Sequence, residues 1–285
     1  MSDSAEAVHS RLAELAAPTA ASRVIDLGCG AGPTLLALSR VAPEAVLIGI
    51  DRSADFLRHA QQELQGHLGP VMALAADLRA PLPCRDESAD VILSYNTVEC
   101  LPDPEQLLAE VARVLRPGGR AVLAHVDFDS VVITGADADL DRRVCHAFAD
   151  DVQSWMDRAD GRIGRKLGLL LARSALRLVS VEPLLTWSTT LSGHAKARID
   201  EIRKALLSAD RHDRGAVSAA EVEKWYAAVR EADRLGGFFF SELAFIAVAE
   251  RPSDERPVGG TAPSARDAVL PGHGDRWAAA PPAAT

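Results

Sequence analysis

A glycine-rich turn with an acid on either side is the clearest chemical signal in this sequence. The segment VIDLGCGAG (residues 24–32) leads from an apolar run through closely spaced glycines toward a helix near Thr34. Glycine lets the backbone approach a ligand where a Cβ atom would clash, and a helix N-terminus offers N–H groups that lack partners. Asp51 closes the next apolar run about twenty residues on, where a carboxylate can accept both hydroxyl protons of a ribose. The pattern predicts a site for a ribose-containing cofactor.

Both signals also have a purely structural interpretation. The glycines alone form a tight turn between a strand and a helix. Asp51 alone could cap the following helix, a role that Ser53 fills equally well.

The residues around the glycines indicate which class of cofactor the loop accepts. A dinucleotide-binding loop has its third glycine three residues after the second, and Pro33 stands there in this sequence. Asp26 precedes the loop, where it can anchor loop N–H groups or a ligand ammonium but fits poorly beside a pyrophosphate. The implied cofactor is therefore cationic, which disfavours a nicotinamide-dependent oxidoreductase.

A series of short apolar strands is predicted to position these residues. Between Arg23 and Asp127 such runs alternate with helical patterns, which is typical of βαβ units and a parallel sheet covered on both faces. The runs lie at 24–27, 45–50, 71–76, 90–95 and 120–126. Pro104 opens a helix that the segment RPGG at 116–119 ends in a turn. The rest is predicted to be helix-rich to 175, strand at 178–187, helix at 195–207 and 219–234, and strand at 238–248.

Four motifs in this order resemble a known family. They are VIDLGCGAG at 24–32, GIDRS at 49–53, AADLRAPLPCRDESADVILSYNTVECLPDP at 75–104 and EVARVLRPGGRAVL at 110–123. Together they resemble the class I S-adenosylmethionine-dependent methyltransferases, nearest to the small-molecule branch that includes quinone-biosynthesis enzymes. The resemblance covers about residues 20 to 128. A weaker similarity continues in HVDFDS at 125–130, GRIGRKL at 161–167 and GGFFFSELAFIAVAERP at 236–252.

The resemblance implies a fold and a set of cofactor contacts. The fold is an α/β, Rossmann-like, doubly wound sheet of seven strands, the last antiparallel, with helical insertions. The glycines would line the methionine and ribose, Asp51 would hold the ribose hydroxyls, and Asp77 would accept from the adenine amino group. Asn96 and Thr97 would line the sulfonium end, although the branch usually has an apolar stretch with a histidine there. The implied cofactor-binding residues are Asp26, Gly28, Gly30, Gly32, Asp51, Arg52, Asp77, Leu78, Asn96 and Thr97. Asp77 could instead initiate a turn before Pro81.

His125 is the candidate for catalytic chemistry. It ends the fifth predicted strand, where sites of parallel sheets open, and Asp127 and Asp129 follow it. A histidine near its reference pKa could take a proton from an oxygen or nitrogen acceptor as the methyl group transfers. The related branch usually carries an acid here. The alternative is a histidine packed at the strand end and hydrogen-bonded to Asp127. His59 and His146 are predicted to be surface residues.

Two further patterns favour structural over functional interpretations. The stretch DRHDRGAVSAAE at 210–221 has the frame of a calcium loop, but His212 and Arg214 replace two oxygen ligands. It is predicted to be a turn between helices, with Ser218 and Glu221 forming a capping box and no metal bound. Basic residues between 158 and 177 would share one face of a continuous helix, either solvated or facing an acidic substrate, and Phe238, Phe239 and Phe240 are predicted to fill the core.

Composition narrows the possible partners. The 285 residues carry a net charge of −9, which argues against nucleic-acid binding as the main activity. No run is long enough for a membrane span and no signal peptide is apparent, so a cytoplasmic location is expected. The four cysteines show no zinc-ligand spacing and are predicted to be free thiols. The sequence does not predict the oligomeric state.

These inferences define one domain and one activity. Residues 1–250 are predicted to form the methyltransferase domain, with a core at about 20–128 and helical insertions at about 130–175 and 195–235. Residues 251–285 lack apolar periodicity and are predicted to be a disordered tail. The expected activity is methyl transfer from S-adenosylmethionine to oxygen, nitrogen or carbon of a small molecule. A non-catalytic S-adenosylmethionine-binding protein is the alternative, ahead of an NAD(P)-dependent oxidoreductase.

Overall fold

The computed structural model describes residues 4–153, 156, 158–212 and 214–253. The strands are β1 (Arg23–Leu27), β2 (Val46–Asp51), β3 (Val71–Ala75), β4 (Ala89–Tyr95), β5 (Leu115–Thr134), β6 (Arg177–Ser188) and β7 (Phe239–Glu250). The helices are α1 (Ser4–Ala16), α2 (Pro33–Val41), α3 (Ala54–Glu63), α4 (Pro104–Val114), α5 (Ala138–Asp150), α6 (Ile163–Ala172), α7 (Gly193–Arg211) and α8 (Ala219–Arg234). A short 3-10 helix spans Val98–Cys100.

The strands form one seven-stranded sheet in the order β3-β2-β1-β4-β5-β7-β6. Strands β1 to β5 run parallel, and β7 is antiparallel to both β5 and β6. The chain reverses its winding between β1 and β4, and a crevice at the carboxyl ends of the strands is expected at such a point. The predicted α/β fold with an antiparallel last strand is confirmed.

Apolar side chains on both faces of the sheet explain why helices cover both sides. Val24 of β1 packs with α1, α2 and α3 on one face, and Ile25, the next residue, packs with α4 and α6 on the other. A third apolar cluster joins α5, α7 and α8 to the far end of β5 around the fully buried Trp225. These helices correspond to the predicted insertions, and they cover the carboxyl end of the sheet.

Strand β5 begins earlier and ends later than the sequence predicted, spanning Leu115–Thr134 instead of 120–126. The segment 116–119 was expected to be a turn, but it belongs to β5 as an irregularity in the pairing with β4. Gly118 has φ +76°, and its N–H donates to the carbonyl of Arg251. Long-range pairing thus turns a local turn signal into a bulge.

The folded chain extends past the predicted domain boundary. Arg251 donates to the carbonyls of Ala112, Arg113 and Leu115 at the end of α4 and to the carboxylate of Glu87. The described residues up to Pro252 form one compact unit. The remainder of the predicted tail, residues 254–285, lies outside the described residues.

Candidate active site

The glycine loop connects β1 to α2 in a conformation that side chains disfavour. Gly28, Gly30 and Gly32 all have positive φ values, between +52° and +85°. A Cβ atom on Gly28 would lie 2.2 Å from Oγ1 of Thr97, whereas one on Gly30 would meet nothing within 4 Å. Gly28 is therefore needed for packing against β4, and Gly30 faces open space where a ligand can approach.

Asp51 joins the loop to the next helix. One carboxylate oxygen accepts from the N–H of Gly30 at 2.9 Å and the other from the N–H of Ser53 at 2.8 Å. Ser53 caps α3 through the N–H of Phe56, so the helix does not need Asp51 as its cap. Asp51 lines the cleft, where each oxygen retains a lone pair for a ribose hydroxyl.

Asp26 is a buried acid with one unpaired oxygen. It is 2% exposed, and its Oδ2 atom has no hydrogen-bond partner among the described residues. Burial, reinforced by the charge of Asp51, raises the pKa of Asp26 to about 8. A positively charged ligand group next to the glycine loop would favour the ionised form. The orphaned carboxyl thus fits the cationic cofactor that the sequence predicts.

Asp77 and Leu78 line the same cleft after β3, together with Arg52. The Asp77 carboxylate is held by Arg79, whose hydrogen bonds lower the pKa of Asp77 to about 2. The acid is therefore ionised and fixed in orientation, as an acceptor for an amino group must be. Its turn geometry, with the N–H of Arg79 donating to Oδ1, also matches the alternative interpretation.

Asn96 and Thr97 follow β4 at the centre of the site. Asn96 has φ +50°, and its Oδ1 accepts from the N–H of Val126 at 2.9 Å. Thr97 donates to the carbonyl of Tyr95 at 3.1 Å. Asparagine is one of the few side chains that tolerate the left-handed region. The backbone and the side chain of Asn96 are thus both fixed by the strands.

Two cavities meet at Asn96. The larger, about 800 Å³, runs from the glycine loop past Asp51 and Asp77, and α7 and Arg214 border it on the other side. The smaller, about 300 Å³, lies between α1, the end of β4, α5 and α7. Both are lined by Asn96, Asp151, Gln153 and Glu201. We call the first the cofactor cleft and the second the acceptor chamber.

All but two of the predicted cofactor residues line the cofactor cleft. Those in the lining are Gly28, Gly30, Asp51, Arg52, Asp77, Leu78, Asn96 and Thr97. Asp26 lies buried beside this set, and Gly32 caps α2 with φ +85° and its Cβ position against Ala60. The structure therefore brings the predicted residues together and leaves Gly32 with a packing role at the helix start.

His125 does not reach either cavity. Its ring is fully buried, Nδ1 donates to the carbonyl of Val126 at 2.6 Å, and Nε2 lies 3.2 Å from Oε2 of Glu99. Nε2 is not aligned for a hydrogen bond with that oxygen. A general base must contact the proton it removes, so this placement does not fit the predicted catalytic role. The expected contact with Asp127 is replaced by those with Val126 and Glu99.

A polar cluster that sequence reasoning missed lies at the acceptor chamber. His194 and Arg198 of α7 both bond to Glu242 of β7, with Nε2 of His194 at 2.6 Å and Nε of Arg198 at 2.8 Å. His9 faces the same chamber, and burial together with His194 lowers the pKa of His9 to about 4. Two features of the sequence could have indicated this cluster. One is a charged residue at 242 in a mostly apolar strand, and the other is an arginine on the apolar face of α7.

The other patterns have structural roles. Ser218 and Glu221 form the predicted capping box at the start of α8, and the described residues contain no cluster that could hold a metal ion. The basic residues of 158–177 do not form one helix face, since α6 begins only at Ile163, and Lys166 pairs with Asp160. All four cysteines are free. Phe238 and Phe240 are buried as predicted, but Phe239 is 37% exposed because alternate residues of β7 point to opposite faces. None of the described helices is long and apolar enough to cross a bilayer.

Comparisons with known proteins agree with this architecture. Residues 25–123 match the sequence profile of a family described as a methyltransferase domain. The chain is 32% identical over 229 residues to an uncharacterised 37.1 kDa protein in transposon Tn4556 of Streptomyces fradiae, which covers 79% of this chain and 61% of that protein. It is 41% identical over 99 residues to the trans-aconitate 2-methyltransferase of Azoarcus sp. strain BH72, covering 35% and 37% of the two chains.

The fold has counterparts among solved structures. The solved structure of a candidate methyltransferase from Bacillus halodurans C-125 superposes on this chain with a TM-score of 0.58 at 16% identity. The superposition covers 87% of this chain and all of the Bacillus chain. The matched profile identifies a methyltransferase domain at residues 25–123, and the sheet order and the loop motifs agree with it. The chain spans between a third and two thirds of the length of the two curated relatives.

Proposed function

We propose that this protein transfers the methyl group of S-adenosylmethionine to a small molecule held in the acceptor chamber. The observation that carries the proposal is the meeting of two cavities at Asn96, one bordered by the cofactor residues and the other by a separate polar cluster. Methyl transfer requires a donor and an acceptor in line across a short gap. A binding protein without activity would need only the first cavity.

The chain's own residues supply binding and orientation. Asp51 would accept from the ribose hydroxyls, Asp77 from the adenine amino group, and Asp26 would balance the positive charge of the cofactor. Bound S-adenosylmethionine supplies an activated methyl group on a sulfonium, so the protein mainly provides proximity and exclusion of water. The acceptor atom is oxygen, nitrogen or carbon, and similarity to the quinone-biosynthesis branch supports a small organic molecule.

Titration calorimetry with Asp51→Ala tests the cofactor assignment. Losing charge-assisted hydrogen bonds to two hydroxyls should cost about 1.5 to 3 kcal/mol, or roughly ten- to a hundredfold in affinity for S-adenosylmethionine. Asp55→Ala is the matched control, because Asp55 lies on α3, is exposed and does not line the cleft. Equal affinity of the two folded variants would remove the ribose assignment, and comparable binding of NADH would favour the oxidoreductase alternative.

Product analysis separates the enzyme from a non-catalytic binding protein. Incubation with S-adenosylmethionine and an extract of small metabolites should yield S-adenosylhomocysteine together with a methylated product, both detectable by mass spectrometry. Asp51→Ala should lower both yields in parallel. Tight cofactor binding without any S-adenosylhomocysteine above a blank would favour the non-catalytic alternative.

A further inference from the structure

The lining of the acceptor chamber combines apolar and polar side chains. Phe128 and Phe148 form an apolar pair, with their ring centroids 5.2 Å apart, and Met156 lies in the same lining. His9, Tyr95 and His194 are polar members of this lining. A volume of about 300 Å³ between aromatic walls suits a small planar molecule with one polar edge.

The hydrogen bonds of His194 fix which ring nitrogen can act. Glu242 is buried, and its carboxylate stays ionised because Arg198 and His194, against the effect of burial, lower the pKa of Glu242. A carboxylate only accepts, so Nε2 of His194 must carry the proton of the 2.6 Å hydrogen bond. The ring lines the chamber, so Nδ1 is the nitrogen that can accept a proton from a bound molecule.

Charged groups lie around the ring of His194. Arg198 bonds to both Glu242 and Glu201, so one guanidinium faces two carboxylates. The other groups that face the ring are uncharged at neutral pH: burial and His194 itself lower the pKa of His9 to about 4, and burial raises the pKa of Tyr95 to about 12. Of these groups, His194 is the one that both lines the chamber and is held by a buried carboxylate.

The same charges exclude one class of acceptor. The carboxylates of Glu99, Asp151 and Glu201 line the chamber with Arg198 as the single guanidinium among the described lining residues. An acceptor carboxylate or phosphate would meet net negative charge in a partly dry site, which is unfavourable. An uncharged acceptor is therefore favoured.

Resting on the proposed function, we propose that His194, held by Glu242, is the general base for O-methylation of an uncharged phenol-like acceptor. The acceptor oxygen forms a bond to the methyl carbon as the bond from that carbon to sulfur breaks. The electron pair of the broken bond stays on sulfur, and the hydroxyl proton passes to Nδ1 of His194 and later to water. Imidazole and phenol have reference pKa values of about 6.5 and 10. The hydroxyl becomes more acidic as its oxygen bonds to the methyl group, so imidazole can then accept the proton. An aliphatic hydroxyl is far less acidic than a phenol.

Binding of 4-nitrophenol in the presence of S-adenosylhomocysteine tests this without turnover, because its ionised form absorbs visible light. We expect saturable binding with an increased phenolate band in the native protein. His194→Gln should bind within about fivefold of native affinity but lose at least tenfold of the bound phenolate signal. His59→Gln, an exposed histidine on α3, is the matched control and should behave as native. 4-Nitrobenzoate, an anion of similar shape, should bind at least tenfold more weakly.

Three results would overturn the proposal: no saturable 4-nitrophenol binding, a phenolate band unchanged in His194→Gln, or preference for 4-nitrobenzoate. Nitrogen-15 NMR of labelled histidines gives a second test, since neutral His194 must carry its proton on Nε2 and Glu242→Gln should weaken that preference. The opposite tautomer in the native protein would contradict the assignment. Calorimetry with S-adenosylmethionine is measured separately, so failure of the phenol assignment and failure of the methyltransferase proposal are distinguishable.

Discussion

Asp26 should make cofactor binding depend on pH. Its carboxyl group has a pKa of about 8, mainly because it is buried, so it is largely protonated at neutral pH. A cationic ligand favours the ionised form, and binding must therefore release a proton. Below pH 8 the affinity for S-adenosylmethionine should rise with pH, by up to about tenfold per unit for one proton. Calorimetry in buffers of different ionisation enthalpy measures both the affinity and the released proton.

Asp26→Asn should abolish this dependence while leaving a weaker, pH-independent affinity. Asp55→Asn, on the surface of α3, serves as the control and should keep the native profile. If Asp26→Asn retains the native slope between pH 6.5 and 8, another group releases the proton and Asp26 is not the partner of the cofactor charge.

The same acid should reduce the stability of the cofactor-free protein. Its pKa is raised on folding, so the folded state holds the proton more tightly than the unfolded chain. Stability is then lost as the pH rises from about 4 to 8. Without cofactor, Asp26→Asn should melt at a higher temperature than the native protein at pH 8, and the difference should shrink at pH 5. A lower melting temperature at both pH values would contradict this account.

For single residues, the sequence predicted those of the cofactor cleft but not those of the acceptor chamber. The glycines, Asp51 and Asp77 are recognisable because each follows a predicted parallel strand, and the carboxyl ends of such strands meet at one edge of the sheet. His194 and Glu242 are 48 residues apart, and no local pattern links a residue at the start of a helix to one inside a strand. His125 was expected at the end of its strand, but β5 continues to Thr134, so the residue lies inside the strand and its ring is buried.

Among the secondary-structure elements, the turn between β1 and α2 should respond differently to two similar substitutions. Gly28→Ala introduces a Cβ atom 2.2 Å from Oγ1 of Thr97, so the turn must shift. We expect a loss of about 2 to 4 kcal/mol in the free energy of unfolding, from overpacking and the positive φ together. Gly30→Ala meets no protein atom within 4 Å, so it should cost only about 1 to 2 kcal/mol while weakening cofactor binding.

Chemical denaturation and calorimetry on both variants make this comparison. Adding Thr97→Ala should partly restore the stability of Gly28→Ala, because it removes the two nearest atoms, and it should not help Gly30→Ala. Equal loss of stability in both single variants would show that the steric account of the turn is wrong.

The elements that were predicted well are those specified by local sequence. The capping box of Ser218 and Glu221 fixes the start of α8, and Pro104 fixes that of α4. Strand β5 was predicted too short at its N-terminal end because the signal of the segment 116–119 is local, whereas its backbone conformation is set by β4 and by Arg251.

For the whole molecule, the boundary of the folded chain can be located by two truncations. A chain ending at Pro252 should keep the native melting temperature, because Arg251 and its contacts remain. A chain ending at Glu250 loses the bonds to three carbonyls and to Glu87, which should cost about 1 to 3 kcal/mol.

Arg251→Ala in the full chain should reproduce the effect of the shorter truncation, and both are measured by thermal unfolding. A fall of more than a few degrees for the chain ending at Pro252 would show that residues 253–285 contribute to stability. An unchanged melting temperature for Arg251→Ala would show that the end of α4 does not need this residue.

Asn96 constrains how this protein can diversify. Its backbone requires a residue that accepts a positive φ, and its amide oxygen holds the start of the segment after His125, so few substitutions satisfy both. The cofactor side of the site is built from strand ends around Asn96, so it should tolerate few substitutions at this position. The acceptor side is built partly from α1, α5 and α7, and none of the lining residues on these helices has a positive φ. Under the proposed function, changes on these helices would exchange one acceptor for another while the chain kept the same methyl donor.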